Sequence, residues 1–251
     1  MHGRKKTKTN TDIANEWDNF AILRLQQLER NEDISMDFVL TPLLFEMALN
    51  ADFSNVIDLG CGTGYVTKQL AKKSNKILGI DVSSNSIKVA NENKGKLQNL
   101  HFIHSSIEEF ALNHEHEFTI GFSNMTLMDV PNLDDVIQAA SKLINENGYF
   151  IITITHPYFW PFYWKYYDKD WFNYSEEIEI ESEFKISSTE TQYTTTHYHR
   201  PLEKYINTLT NYGFQVEKIF EPIPDIVILR KYPHKWNFPR FLGIRCKKKM
   251  L

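Results

Sequence analysis

Only two cysteines occur among 251 residues, and one of them, Cys61, lies inside a glycine-rich turn where a cross-link would obstruct the backbone. This scarcity argues against a disulfide framework and against a thiolate metal cluster, so no metal site is expected. No apolar run approaches the length of a bilayer span, and the polar N-terminus lacks the hydrophobic middle of a secretory signal. The chain therefore reads as cytoplasmic, with no membrane partner. An excess of positive charge is missing too: 28 Lys+Arg stand against 32 Asp+Glu, a formal net charge of −4. Strong non-specific attraction to phosphate backbones is disfavoured, and nucleic acid with it. The basic ends, "HGRKKTK" (2–8) and "CKKKML" (246–251), read as solvated tails.

Hydrophobic residues make up 42% of the chain, enough for one domain with an insertion. Apolar residues three and four apart between 11 and 49 predict two amphipathic helices. Strands then alternate with helices: strands over 55–59, 76–81, 100–104, 118–124 and 149–155, helices over 65–73, 84–93 and 133–145, and a helical turn near 107–112. Such a rhythm predicts a Rossmann-like α/β fold, a mostly parallel sheet covered by helices on both faces. It breaks after Thr155. Residues 156–174 are crowded with aromatics, and 177–199 alternate apolar and polar around a turn-rich "SSTE", which predicts an antiparallel hairpin lid inserted after the fifth strand. A helix from Pro201 to about Asn211 and two last strands follow. The organisation is a helical cap (1–50), a cofactor-binding core (51–156), an aromatic insertion (157–200) and the C-terminal part of the core (201–251).

"VIDLGCGTGYVTKQL" (56–70) places Asp58 at the end of the first core strand and Gly60, Gly62 and Gly64 straight after it. Ligands of parallel sheets bind outside the carboxyl ends of the strands, and glycines there let a ligand approach the main chain. The dinucleotide pattern G-x-G-x-x-G fails at Tyr65, and no Lys-Ser or Lys-Thr closes a phosphate loop. Asp58 would repel a pyrophosphate but attract a cationic group. Asp81, about twenty residues on, sits where a carboxylate accepts hydrogen bonds from ribose hydroxyls. A cation, a ribose and no phosphate describe S-adenosylmethionine.

"VIDLGCGTG" with "LGIDVS" resembles the first two motifs of the class I S-adenosylmethionine-dependent methyltransferases, in particular the single-domain enzymes that act on small metabolites. The likeness covers residues 17–154 and returns at 199–222 and 239–248. It implies seven strands with the last antiparallel. It also implies that Asp58, Gly60, Cys61 and Gly62 line the methionine moiety, that Asp81 binds the ribose, and that Val82 lies against the adenine. Ser106 stands where the family usually has Asp; its oxygen bonds an amino group more weakly, leaving more of the contact to Ile107. Asn124, in "FSNMTLMDV", would face the methionine amino group or the sulfonium. Trp17 and Phe20 would close over the site.

Methyl transfer is an in-line displacement at a carbon already activated by the sulfonium, so it needs mainly positioning and desolvation of the acceptor, and a base only where the acceptor carries a proton. His156 and His199 are the expected bases, with His197 read as more exposed. Tyr158, Phe159, Trp160 and Tyr163 are expected on the substrate side, where ring faces bind a flat or cationic body. The expected activity is methylation of oxygen or nitrogen on a small, aromatic or apolar-bodied acceptor by a monomer or homodimer. An RNA methyltransferase and a non-catalytic cofactor-binding regulator are the alternatives.

Overall fold

The computed structural model describes residues 2–186 and 190–249. The chain opens with a short strand β1 (His2–Arg4), a long helix α1 (Asn10–Glu29), a π-helical turn (Met36–Leu40) and α2 (Thr41–Met47). The alternating core follows: β2 (Asn55–Leu59), α3 (Tyr65–Ala71), β3 (Lys76–Asp81), α4 (Ser84–Asn93), β4 (Leu100–His104), α5 (Ile107–Phe110), β5 (Phe118–Asn124), α6 (Leu133–Leu143) and β6 (Ile144–Thr155). After a helical turn α7 (Trp160–Tyr163), strands β7 (Ile178–Lys185) and β8 (Glu190–His199) form the hairpin. The chain ends with α8 (Leu202–Asn211), β9 (Phe214–Phe220), a turn α9 (Ile226–Leu229) and β10 (Phe241–Lys248).

The seven-stranded sheet has the order β4-β3-β2-β5-β6-β10-β9, with β10 antiparallel to both neighbours, as the resemblance implied. Its inner strands carry Val, Ile, Leu and Phe on both faces: Val56, Ile57 and Leu59 of β2 and Ile120 and Phe122 of β5 are all wholly buried. That is the composition of strands sandwiched between helix layers. The chain runs outward from β2 through β3 to β4, then crosses back to place β5 on the other side of β2. The crevice between the carboxyl ends of β2 and β5 is therefore the topological switch point, where ligands of such sheets bind.

The hairpin closes over this end. Its turn, residues 187–189 of "SSTE", lies outside the described residues. Arg200, 1% exposed, pins the hairpin to the loop after β5: Nη1 donates to the Leu127 carbonyl (3.0 Å), Nη2 to that of Val130 (2.7 Å) and Nε to Glu177 (2.9 Å).

The N-terminal basic segment is no solvated tail. Strand β1 pairs with β7 and makes the hairpin a three-stranded sheet. The cause is Glu179, a fully buried carboxylate on β7 that takes hydrogen bonds from Arg4 Nε (2.7 Å), the Thr7 and Lys8 amides (2.7 and 2.9 Å) and Thr7 Oγ1 (3.0 Å). A charge at that depth must be paired, and residues 4–8 supply its partners. Burial alone would raise its pKa, but these donors outweigh it and hold the carboxyl down at about 2, against an ordinary 4.5. A depressed carboxylate stabilises the fold above its ordinary pKa and loses that contribution as pH falls toward the folded value. Glu179→Gln should lower the melting temperature at pH 7 and expose the N-terminal segment to protease, with the gap to the parent narrowing from about pH 4.5 down to about 2. A gap independent of pH in circular-dichroism melts would contradict this account.

Candidate active site

Three glycines of the β2–α3 turn adopt positive φ, +79° at Gly60, +52° at Gly62 and +74° at Gly64, a region that side chains disfavour. They are bare for different reasons. A Cβ on Gly60 would fall 2.2 Å from Thr126 Cγ2, and one on Gly64 would fall 2.5 Å from Phe102 Cζ, so these two admit the protein's own side chains. A Cβ on Gly62 would meet nothing within 4 Å, so this one opens onto space.

The turn is clamped to β3. The amides of Gly60 and Cys61 both donate to the Ile80 carbonyl (2.9 and 3.0 Å), and that of Gly64 donates to the Cys61 carbonyl. Gly62 N–H donates to Asp81 Oδ2 at 2.8 Å, while Asp81 Oδ1 accepts from the Ser83 amide at 2.8 Å. Burial pushes the Asp81 carboxyl up, and these two amides pull it back. With those four amides engaged, the turn offers no nest for a phosphate. Ser83 caps α4 through its hydroxyl, and Asp18 of α1 accepts from Ser83 Oγ (2.6 Å) and the Asn85 amide (2.9 Å), docking α1 beside the acidic strand end.

A cavity of about 1410 Å³ extends from this turn to the lid. All nine residues expected at the cofactor line it: Asp58, Gly60, Cys61, Gly62, Asp81, Val82, Ser106, Ile107 and Asn124. Asp58 is 2% exposed; its Oδ2 accepts from Thr67 Oγ1 (2.7 Å), and burial raises its pKa to about 7. Ser106 Oγ caps α5 by accepting from the Glu109 amide (3.1 Å), a bond that leaves its hydroxyl hydrogen free to donate. Asn124 is held by Thr153, whose Oγ1 donates to Oδ1 at 2.7 Å, which turns its amide nitrogen toward Met36 Sδ (3.4 Å).

The lid divides the remaining expectations. Trp17, Trp160 and Tyr163 line the cavity. Phe20, wholly buried, does not; it packs on Phe184 and Tyr193, with ring centroids 4.7 and 5.3 Å away. Tyr158, 51% exposed, and Phe159, stacked on Phe238, point away as well. The aromatic block folds as a helical turn, so neighbours diverge, and Phe162 and Trp164 take the places expected of Tyr158 and Phe159.

Neither expected base reaches the cavity. His156 is 3% exposed with both ring nitrogens engaged: Nε2 bonds Glu221 (2.8 Å), and Nδ1 accepts from the Tyr158 and Phe159 amides (3.2 and 3.3 Å). His199 donates from Nε2 to the Tyr174 carbonyl (3.0 Å) under the rings of Phe172 and Tyr174. His197 is the one that arrives. It is 8% exposed rather than open to solvent, lines the cavity beside Trp164, and has an Nε2 with no partner among the described residues. Hairpin alternation placed His197 and His199 on one face; the lid's own twist and packing decided which of them met the cavity. Arg240 and Tyr232, from the aromatic-basic segment before β10, also line it and carry no motif by which sequence would single them out.

Comparison with known proteins agrees with this geometry. The family described as "Methyltransferase domain" matches residues 51–205. A ubiquinone biosynthesis O-methyltransferase of Aromatoleum aromaticum is 32% identical over 94 residues, 37% of this chain and 40% of that protein, so the chain spans about two fifths of that relative's length. Among solved structures, an S-adenosylmethionine-dependent methyltransferase of Clostridium acetobutylicum superposes with a TM-score of 0.64 at 18% identity, over 93% of this chain and 99% of that one. Geranyl diphosphate C-methyltransferase of Streptomyces coelicolor gives 0.63 at 12% identity, over 96% and 98%. With its match running over more than half of its residues, the chain belongs to the methyltransferase-domain family and has the class I fold of S-adenosylmethionine-dependent methyltransferases.

Proposed function

We propose that this protein transfers a methyl group from S-adenosylmethionine to an oxygen of a small, aromatic-faced acceptor. The observation that carries the reading is the single cavity that joins Gly62, Asp58 and Asp81 at one end to the ring-lined lid at the other. When bound, the cofactor supplies an electrophilic methyl on a sulfonium. The residues fit it: open space over Gly62, two carboxylates flanking the turn, and no free cradle for pyrophosphate. In this reading Asp81 keeps lone pairs for the ribose hydroxyls, and Val82 and Ile107 take the adenine faces with Ser106 at its edge. Asp58 and the Thr153-braced Asn124 hold the methionine end, beside Cys61. The named O-methyltransferase relatives support oxygen as the receiving atom.

Helix α1 and the lid supply a ring-lined chamber, from Trp17, Trp160, Tyr163 and Trp164, which displaces water from the acceptor and aligns it. His197 is the group that meets the acceptor oxygen. Burial holds its pKa down at about 3, so it stays neutral at physiological pH and too weakly basic to carry off a proton; its unpartnered Nε2 instead accepts a hydrogen bond that orients the acceptor hydroxyl. His156 and His199 act as braces of the loop and lid.

Asp81→Ala should weaken S-adenosylhomocysteine binding about 10-fold or more in calorimetry, from the loss of charge-assisted bonds. Because Asp58 titrates near 7 and its ionised form attracts the ligand's ammonium, affinity should rise from pH 6 to 8, and Asp58→Asn should flatten that profile. His197→Ala should cut transfer of labelled methyl by about 10-fold, the worth of one orienting hydrogen bond, while leaving S-adenosylhomocysteine affinity intact. His156→Asn should instead lower thermal stability. Unchanged turnover in His197→Ala, with loss confined to the His156 or His199 variants, would return catalysis to those two.

A further inference from the structure

The lid end of the cavity holds a buried cation with no anionic partner among the described residues. Arg240 is 3% exposed and lines the chamber. Its guanidinium lies 4.0 Å from the Tyr163 ring centroid, 4.3 Å from that of Trp236 and 5.4 Å from that of Tyr232. Nη2 donates to the carbonyls of His234 (3.2 Å) and Lys235 (3.3 Å). Nε and Nη1 have no hydrogen-bond partner among the described residues. Of the cavity-lining carboxylates, the one on this side is Asp33, and it is committed to Arg24 at 2.6 Å and to the Met36 amide at 3.0 Å. What faces the guanidinium from Tyr163 and Tyr232 is the ring, not an anion.

Ring faces soften the burial of a guanidinium but do not replace an anion. The surroundings add to the excess: Arg230, Lys231, His234 and Lys235 line the same end, and no acidic residue occurs from Ile226 to the C-terminus. Carboxylates gather at the opposite end, at Asp58 and Asp81. Two contacts join the ends, since Met36 lies 3.4 Å from Asn124 and its neighbour Ser35 bonds the Tyr232 hydroxyl at 3.0 Å. The position of Arg240 is itself fixed, because its carbonyl accepts from the His156 amide at 2.9 Å, tying it to the end of β6.

We infer that Arg240 is the anchor for an oxyanion on the methyl acceptor, so that the substrate is a small aromatic-faced molecule carrying a carboxylate or phosphate. The inference rests on the methyltransferase reading above and names the substrate class of that site. Its Nε and Nη1 donors reach the oxyanion, the rings of Tyr163 and Trp160 flank the body, and the reacting oxygen is left facing the cofactor end. A guanidinium held in a ring-lined site is suited to such recognition.

The test uses the full chain saturated with S-adenosylhomocysteine and titrated calorimetrically with three probes: 4-hydroxybenzoate, phenyl phosphate and neutral 4-hydroxybenzamide. One or both oxyanions should bind at least about 10-fold tighter than the amide, and whichever does so tells carboxylate from phosphate. Arg240→Gln should abolish the preference and Arg240→Lys should restore part of it, with S-adenosylhomocysteine affinity unchanged in both. The comparison of probes on the parent protein stands even where a variant folds poorly. Equal affinity for the amide, binding of neither oxyanion, or a preference that survives Arg240→Gln overturns the inference. Failure of the parent protein to bind S-adenosylhomocysteine overturns the cofactor reading instead.

Discussion

One hydrogen bond, from the Gly62 amide to the Asp81 carboxylate, joins the ends of two adjacent parallel strands and shapes everything around it. It uses the donor that a phosphate would need, keeps a carboxylate at the cavity wall, and fixes the left-handed turn from which α3 departs. Gly60 and Gly64 let Thr126 and Phe102 close on that turn, and Gly62 alone stays bare toward the cavity. The same few residues therefore serve packing and recognition at once. A glycine motif need not be bare for one reason throughout.

Charge is distributed along the cavity by burial. Carboxylates at the glycine turn sit where a cationic, ribose-bearing ligand would offset them, while the lid end carries a guanidinium among rings. Buried charges used for architecture behave differently: Glu179 and Arg200 are enclosed with their donors and acceptors met, and they fasten the hairpin to the N-terminal segment and to the loop after β5. His156 and His199 have bonded ring nitrogens, whereas the Nε2 of His197 and the Nε and Nη1 of Arg240 have no hydrogen-bond partner among the described residues.

Much of the core was legible before any coordinates. Strands over 55–59, 76–81, 100–104 and 118–124 fall where periodicity put them, because a doubly covered strand must be apolar on both faces and short. The β6 strand starts at Ile144, five residues ahead of the 149–155 reading, because its pairing with β5 continues past Asn147 (φ +64°) through a register shift between Phe118 and Ile120. β1 escaped notice because three residues hold no period, and its pairing depends on a carboxylate more than 170 residues away.

The amino-acid sequence by itself determined the alternating sheet and the acidic, glycine-rich turn, since both follow from local periodicity and from residue types that only one backbone geometry accommodates. Tertiary structure alone decided which histidine meets the cavity, which rings of the aromatic block turn inward, and that Arg240 lies beside them without an anionic partner among the described residues. Those outcomes depend on the packing of a lid whose contacts are long-range, and on which polar groups that packing leaves without a partner.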